Sequence, residues 1–185
     1  MRASRLALLF VLGEITMAST NVLSQTVPSN PTAAVSEAAH VVNSFRFEIA
    51  AAMKDVAPMF GPEAERRWAG EEWNPVFLYP RPGRDVQGAV FTVDHGPIHT
   101  VWVNTVFDLS HGRMQYVAIS GDHFVTTVEV QLTAVAASRT SVQVTYARTA
   151  LVTAANDHVR ELGERDRTSG PEWQRGIETA LGLTK

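Results

Sequence analysis

Five consecutive segments between residues 88 and 150 decide most of what this chain can fold into. GAVFTVDH (88–95), IHTVWVNTVFD (98–108), RMQYVAIS (113–120), HFVTTVEVQLTA (123–134) and RTSVQVTYARTA (139–150) are rich in β-branched and aromatic residues and read as strands. Their separators, Gly96-Pro97, His111-Gly112, Gly121-Asp122 and Ala136 to Ser138, are long enough for hairpins and too short for the crossover a parallel pair needs. An antiparallel meander follows.

The flanks add an α component. VVNSFRFEIA (41–50) alternates and reads as a first strand with Phe45 and Phe47 on one face. Met53, Val56, Met59 and Phe60 are spaced for a short helix, which Gly61-Pro62 ends before a second short helix, EAERRW. At the other end Val159, Leu162, Trp173, Ile177 and Leu181 form one apolar stripe, interrupted at Asp166 and Gly170. The opposite, solvated face carries Arg160, Glu161, Glu164 and Arg165, with Glu161 and Arg165 in the favourable i,i+4 order. Gly170-Pro171 should kink or break this helix, and Ser169-x-x-Glu172 is spaced to cap a restart. With 185 residues, 45% of them hydrophobic, the chain can bury one core and is short for two.

Charge and composition remove several classes of function. A formal charge of -3 and a pI near 6.1 supply no basic surface for nucleic acid. The chain has no cysteine, so disulfides, thiolate zinc sites and cysteine nucleophiles are out. At the amino terminus Arg2 and Arg5 precede the apolar run Leu6 to Leu12, with Ala18, Ser19 and Ser24 behind it. That is the order of a secretory signal over residues 1–24 and implies a secreted or periplasmic protein, the alternative being a cytoplasmic extension. The run is too short to span a bilayer, so no transmembrane segment is expected in the mature chain. Residues 25–39, rich in Ser, Thr, Pro, Asn and Ala, read as a disordered spacer, and residues 40–185 as the single folded domain.

The order strand, two short helices, meander, long helix resembles a known family. The segments FGPEAERRWAGEEWNP (60–75), GAVFTVDHG (88–96), VWVNTVFD (101–108), MQYVAIS (114–120), VTYARTAL (144–151) and NDHVRELGE with GPEWQRGIETAL (156–181) are similar to the START/polyketide-cyclase-like (SRPBCC) superfamily, in its small bacterial branch. The resemblance implies an α+β helix-grip fold in which a curved antiparallel sheet wraps a long carboxy-terminal helix. It also implies a space between sheet and helix for a small hydrophobic or amphipathic molecule. Activity does not transfer with a fold, and no cofactor is implied.

Within that frame Trp68 and Trp73 would plug one end of the space, and Asn74-Pro75 would turn the chain into the sheet. Trp68 is expected as core and Trp73 as a wall or lid. In TTVEVQL, Glu129 and Gln131 point to water, so Thr126, Val128, Val130 and Leu132 point inward. The same phase turns Val142, Val144 and Tyr146 inward and takes Arg148 with them. A guanidinium there needs a partner: either a structural mate such as Glu71, Glu72, Asp94 or Glu172, or an anionic ligand. Phe91, Val93 and His95 form one inner face, and Trp102 and Asn104 another. The candidate ligand-binding set is therefore Trp73, Asn74, His95, Trp102, Asn104, Tyr116, Tyr146 and Arg148.

His95 and His99 stand four apart, but Gly96-Pro97 makes a turn between them, so no metal site is expected. No nucleophile elbow or phosphate loop occurs. Three readings stay open. The first is a carrier or sensor for a small molecule, and the second an enzyme on the polyketide-cyclase pattern with His95, Tyr146 and Arg148 as its polar groups. The third is a partner-binding domain whose inner space is filled by Trp68, Trp102 and Phe91.

Overall fold

The computed structural model describes residues 37–184, so the leader-like segment and most of the spacer lie outside the described residues. Strand β1 (His40–Ile49) is followed by helix α1 (Met53–Val56), a 3-10 turn (Ala57–Phe60) and helix α2 (Pro62–Glu65). Strands β2 (Val76–Tyr79), β3 (Val90–His95), β4 (Ile98–Asp108), β5 (Arg113–Ser120), β6 (Phe124–Ala136) and β7 (Arg139–Ala150) come next, then helices α3 (Asn156–Thr168) and α4 (Gly170–Ala180). All seven strands form one sheet in the order β1-β7-β6-β5-β4-β3-β2, and every neighbouring pair is antiparallel. The meander thus closes on β1, which returns to pair with β7 across the whole chain.

Alternation decides which face the helices cover. In β1 every second residue from Asn43 to Ile49 is buried, and in β6 the same holds from Phe124 to Leu132. Paired positions carry the pattern across the sheet: Phe45 lies opposite Val144, Val130 opposite Val144, and Val128 opposite Tyr146. Register shifts between Asn104 and Val106 in β4 and between Ala134 and Ala136 in β6 are the kind of bulge that bends a strand and lets a sheet curl around a helix. Phe45, Phe47, Ile49, Phe60, Met114, Val130, Leu132, Val142, Val144 and Ile177 make the main core. A smaller core of Ala39, Phe124, Ala150, Ala155 and Val159 closes the opposite end of the same strands.

Several expectations are corrected here. β2 was not anticipated: it is four residues long and mostly exposed, so it has no alternating apolar face to show in sequence. Residues 37–39 do not belong to a loose spacer, because the Ala39 N–H donates to Asn156 Oδ1 at 2.7 Å and the Asn156 amide donates to the Glu37 carbonyl at 3.3 Å. The carboxy-terminal helix breaks where Gly170-Pro171 was expected to break it, into two helices meeting at Ser169 with Pro171 in the first turn of α4. The capping box of Ser169 with Glu172 does not form. Ser169 keeps helical φ and ψ of -73° and -17°, where an N-cap needs extended backbone, and its hydroxyl donates back to the Arg165 carbonyl at 3.0 Å. Nor do Glu161 and Arg165 pair: the ion pairs of α3's outer face are Arg160 with Asp157 at 2.6 Å and Arg167 with Glu164 at 3.7 Å.

Candidate functional site: a tryptophan-lined chamber

Between the two cores the inner face of the sheet does not meet the helices, and a cavity of about 590 Å³ opens there. Its floor is a set of even-numbered strand positions: Thr100 and Trp102 from β4, Tyr116, Ala118 and Ser120 from β5, Thr126 and Val128 from β6, Tyr146 and Arg148 from β7. Helices α3 and α4 supply His158, Leu162 and Trp173, and the segment from Glu65 to Trp73 supplies the remaining wall. All four tryptophans of the chain line this one space.

The tryptophans are fixed in two groups. Trp68 and Trp173 meet edge to face at 5.0 Å between ring centroids, with Phe60 and Phe45 behind them. Trp73 meets Trp102 edge to face at 5.5 Å, and Trp102 stacks on the buried Phe91 at 6.0 Å. Trp68 and Trp73 also direct their indole N–H groups to carbonyls, of Met59 at 2.7 Å and of Pro62 at 2.9 Å. Such a bond satisfies the one polar atom of the ring and leaves its face for apolar contact. Trp68, expected as plain core, therefore serves both core and chamber. Gly176 permits its position: a Cβ there would lie 2.8 Å from the Trp68 carbonyl oxygen.

Of the eight candidate residues, Trp73, His95, Trp102, Tyr116, Tyr146 and Arg148 line the chamber. His95 stands on its exposed rim at the end of β3. Two of the eight lie elsewhere. Asn74 is on the outer surface, where its side-chain oxygen accepts from Arg66 at 2.5 Å. Asn104 points inward as its phase required and is fully buried, but it sits where residues 86–89 fold over the sheet, and its amide donates to the Val86 carbonyl at 3.3 Å.

Arg148 has a mate that the sequence reading did not name. Its Nε and one terminal nitrogen donate to the two carboxylate oxygens of Asp166, each at 2.8 Å, and its other terminal nitrogen donates to the Thr126 hydroxyl at 3.0 Å. Glu71, Glu72, Asp94 and Glu172 take no part in it. The guanidinium also lies 4.6 Å from the Tyr146 ring centre, a cation–π contact. Bidentate pairing neutralises the charge of the arginine where it faces the chamber. The Tyr146 phenol is pushed above its usual range, first by burial, and Tyr116, whose hydroxyl donates to the Phe60 carbonyl, is pushed up for the same reason.

Thr100, Ser120, His158 and Glu65 line the chamber without having been candidates. Glu65, in a stretch that reads as a charged surface helix, is only 9% exposed and borders the chamber. Burial first, and the nearby charge of Asp85 second, raise its carboxyl well above the ordinary 4.5, and among the described residues no hydrogen bond or cation holds it down. Asp85 itself is bound to the start of α2: its carboxylate accepts from the N–H groups of Glu63 at 2.7 Å and Ala64 at 3.1 Å. Gly61 makes room for this, since a Cβ there would fall 2.2 Å from the Asp85 carboxyl carbon. A buried donor also lacks a partner on the far wall, the Trp102 indole N–H.

Sheet, paired helices and the space between them define an α+β helix-grip fold. Solved structures share it. Norcoclaurine synthase from Thalictrum flavum, in complex with dopamine and hydroxybenzaldehyde, superposes with a TM-score of 0.58 at 11% identity, covering 94% of this chain and 98% of that one. A putative uncharacterized protein from Rhizobium leguminosarum gives 0.55 at 16% identity, over 80% of this chain and 98% of the other. A hypothetical protein from Helicobacter pylori gives 0.57 at 11% identity, over 89% and 97%. These likenesses are of fold. No family model matches the sequence, and no curated protein matches it.

Proposed function

We propose that this protein binds a small hydrophobic or amphipathic molecule in the tryptophan-lined chamber, as a carrier or sensor. One observation carries the reading: all four tryptophans surround a space of about 590 Å³ that they leave empty. A volume in the range of roughly 300–1,000 Å³, with mostly apolar walls and a few placed polar groups, is what small-molecule sites have in common. A filled core, as the partner-binding reading requires, would have Trp68 and Trp102 close the space, whereas both border it. An enzyme built on His95, Tyr146 and Arg148 draws little from their placement, since His95 is at the rim and Arg148 is committed to Asp166. The leader-like amino terminus supports placing this binding outside the cytoplasm. Among the described residues no helix is long and apolar enough to cross a membrane.

The test is uptake of N-phenyl-1-naphthylamine, a neutral dye that brightens in apolar surroundings, together with native mass spectrometry of protein prepared without detergent. The purified protein is expected to enhance the dye with saturable binding, and Ala118→Phe, which projects a ring from the chamber floor, should abolish uptake while keeping the far-ultraviolet circular dichroism. Absence of saturable uptake, with no small molecule retained in the mass spectrum, would overturn the reading.

A further inference from the structure

The chamber has an acidic group with nothing to answer it. Glu65 lies nine-tenths buried at its wall, and among the described residues neither a hydrogen bond nor a cation acts on its carboxyl, while Asp85 acts on it with a like charge. A carboxyl left so is costly unless something arrives to pair with it. The arginine across the chamber is not that partner, because both carboxylate oxygens of Asp166 already hold it. Glu72 and Glu172 stand on the exposed rim. Counting Asp166 with Arg148, four carboxyl groups thus face the two guanidinium groups of Arg148 and Arg165.

Resting on the chamber as a binding site, we propose that Glu65 recognises a cationic head and that the ligand is a small amphipathic amine, its ammonium on Glu65 and its apolar body among the tryptophans. The electron-rich faces of indole and phenol rings attract an ammonium within about 6 Å, and six such rings, Trp68, Trp73, Trp102, Trp173, Tyr116 and Tyr146, line the space. A metal cation fits less well: one carboxyl offers too few ligands, and no cluster of three or more metal-binding side chains exists among the described residues. An anionic ligand would add a further negative charge to the acidic wall.

The pairing has a proton balance. Burial and the like charge of Asp85, which reaches it from the segment before β3, raise the Glu65 carboxyl, with Tyr116 of β5 and Tyr146 of β7 the other titratable groups in electrostatic reach. An ammonium pairs with the carboxylate form, so whatever proton the carboxyl holds goes to solvent on binding. Binding therefore tightens as pH rises through the titration of Glu65 and weakens again when the amine itself loses its charge.

Three probes of one shape test this by calorimetry on the full chain: 4-phenylbutylamine, 4-phenylbutan-1-ol and 4-phenylbutanoate, at pH 6 and pH 8. The amine is expected to bind at least tenfold tighter than the alcohol and no more weakly at pH 8 than at pH 6, with the acid weakest. Glu65→Gln keeps the shape and should erase the preference of amine over alcohol, together with its pH dependence. Equal binding of amine and alcohol, or preference for the acid, overturns the role of Glu65 and leaves the chamber standing. Failure of the amine to bind a protein that takes up the dye does the same. Failure of every probe and of the dye overturns both. Should Glu65→Gln not fold, the amine-to-alcohol ratio and its pH dependence in the unaltered protein still decide.

Discussion

Strands β6 and β7 run through two regions built on one pattern with opposite results. Toward one end their inward residues are Val130, Leu132, Val142 and Val144, which pack against Phe60 and Ile177 with no space left. A few residues along the same strands the inward positions are Thr126, Val128, Tyr146 and Arg148, and there the chamber begins. Alternation is identical in both, so it dictates which side chains face the helices and not whether they touch. What differs is the opposing layer: the first stretch meets the α1 turn and Ile177 of α4, the second meets Asp166 of α3 and, through Tyr146, Trp173 of α4. A packed region is set by volumes matched across two layers, an open one by a mismatch held apart at its rim.

The largest effect expected from breaking this contrast is at the strut of the open region. Asp166→Ala leaves the Arg148 guanidinium unpaired at 12% exposure and should cost about 3–5 kcal/mol in urea unfolding. The double replacement Arg148→Met with Asp166→Leu should recover most of that loss. A single variant within about 1 kcal/mol of the original protein would show that solvent already compensates the arginine.

Next in size is the same truncation made in both regions. Val144→Ala, at a fully buried site, loses the transfer of two methyl groups and creates a void, together roughly 2–3 kcal/mol. Val128→Ala borders space that exists already and should lose roughly 1.5 kcal/mol, the transfer part alone. Equal losses by thermal or urea unfolding would mean that the chamber closes in solution.

The third effect is one of pH. Glu65 is protonated in both folded and unfolded chains below about 4.5, so it costs nothing there. As pH rises above that value the unfolded chain releases the proton first, and the folded state is penalised by up to about 1.4 kcal/mol per pH unit until its own raised pKa is reached. Glu65→Gln should match the original protein near pH 4 and exceed it in stability near pH 7.5. Parallel stability curves across that range would show Glu65 to be solvated in the folded state.

The fold was readable because strands declare their faces by a period of two and hairpins by short separators. Five of the eight candidate residues, His95, Trp102, Tyr116, Tyr146 and Arg148, reached the chamber for that reason, and Trp73 reached it from the segment before β2. Asn74 and Asn104 did not, since direction alone says nothing of what a loop such as 86–89 will lay over an inward side chain. Glu65 was legible in principle: it stands three residues before Trp68, on the same side of a helical turn, yet its charged neighbours Glu63, Arg66 and Arg67 drew the whole stretch to the surface. Asp166 was seen as a break in an apolar stripe, when an acid at a stripe position is what an inward arginine calls for.

Gly176 gives the protein a means of adjustment outside the binding surface. It contributes no atom to the chamber lining, yet the missing methyl at this point is what allows Trp68 to sit as deep as it does. One codon change there alters the shape of the space while every residue a ligand would touch stays the same. Lineages that share all the lining residues can therefore differ in what they accept, and comparison of linings alone would overlook the cause.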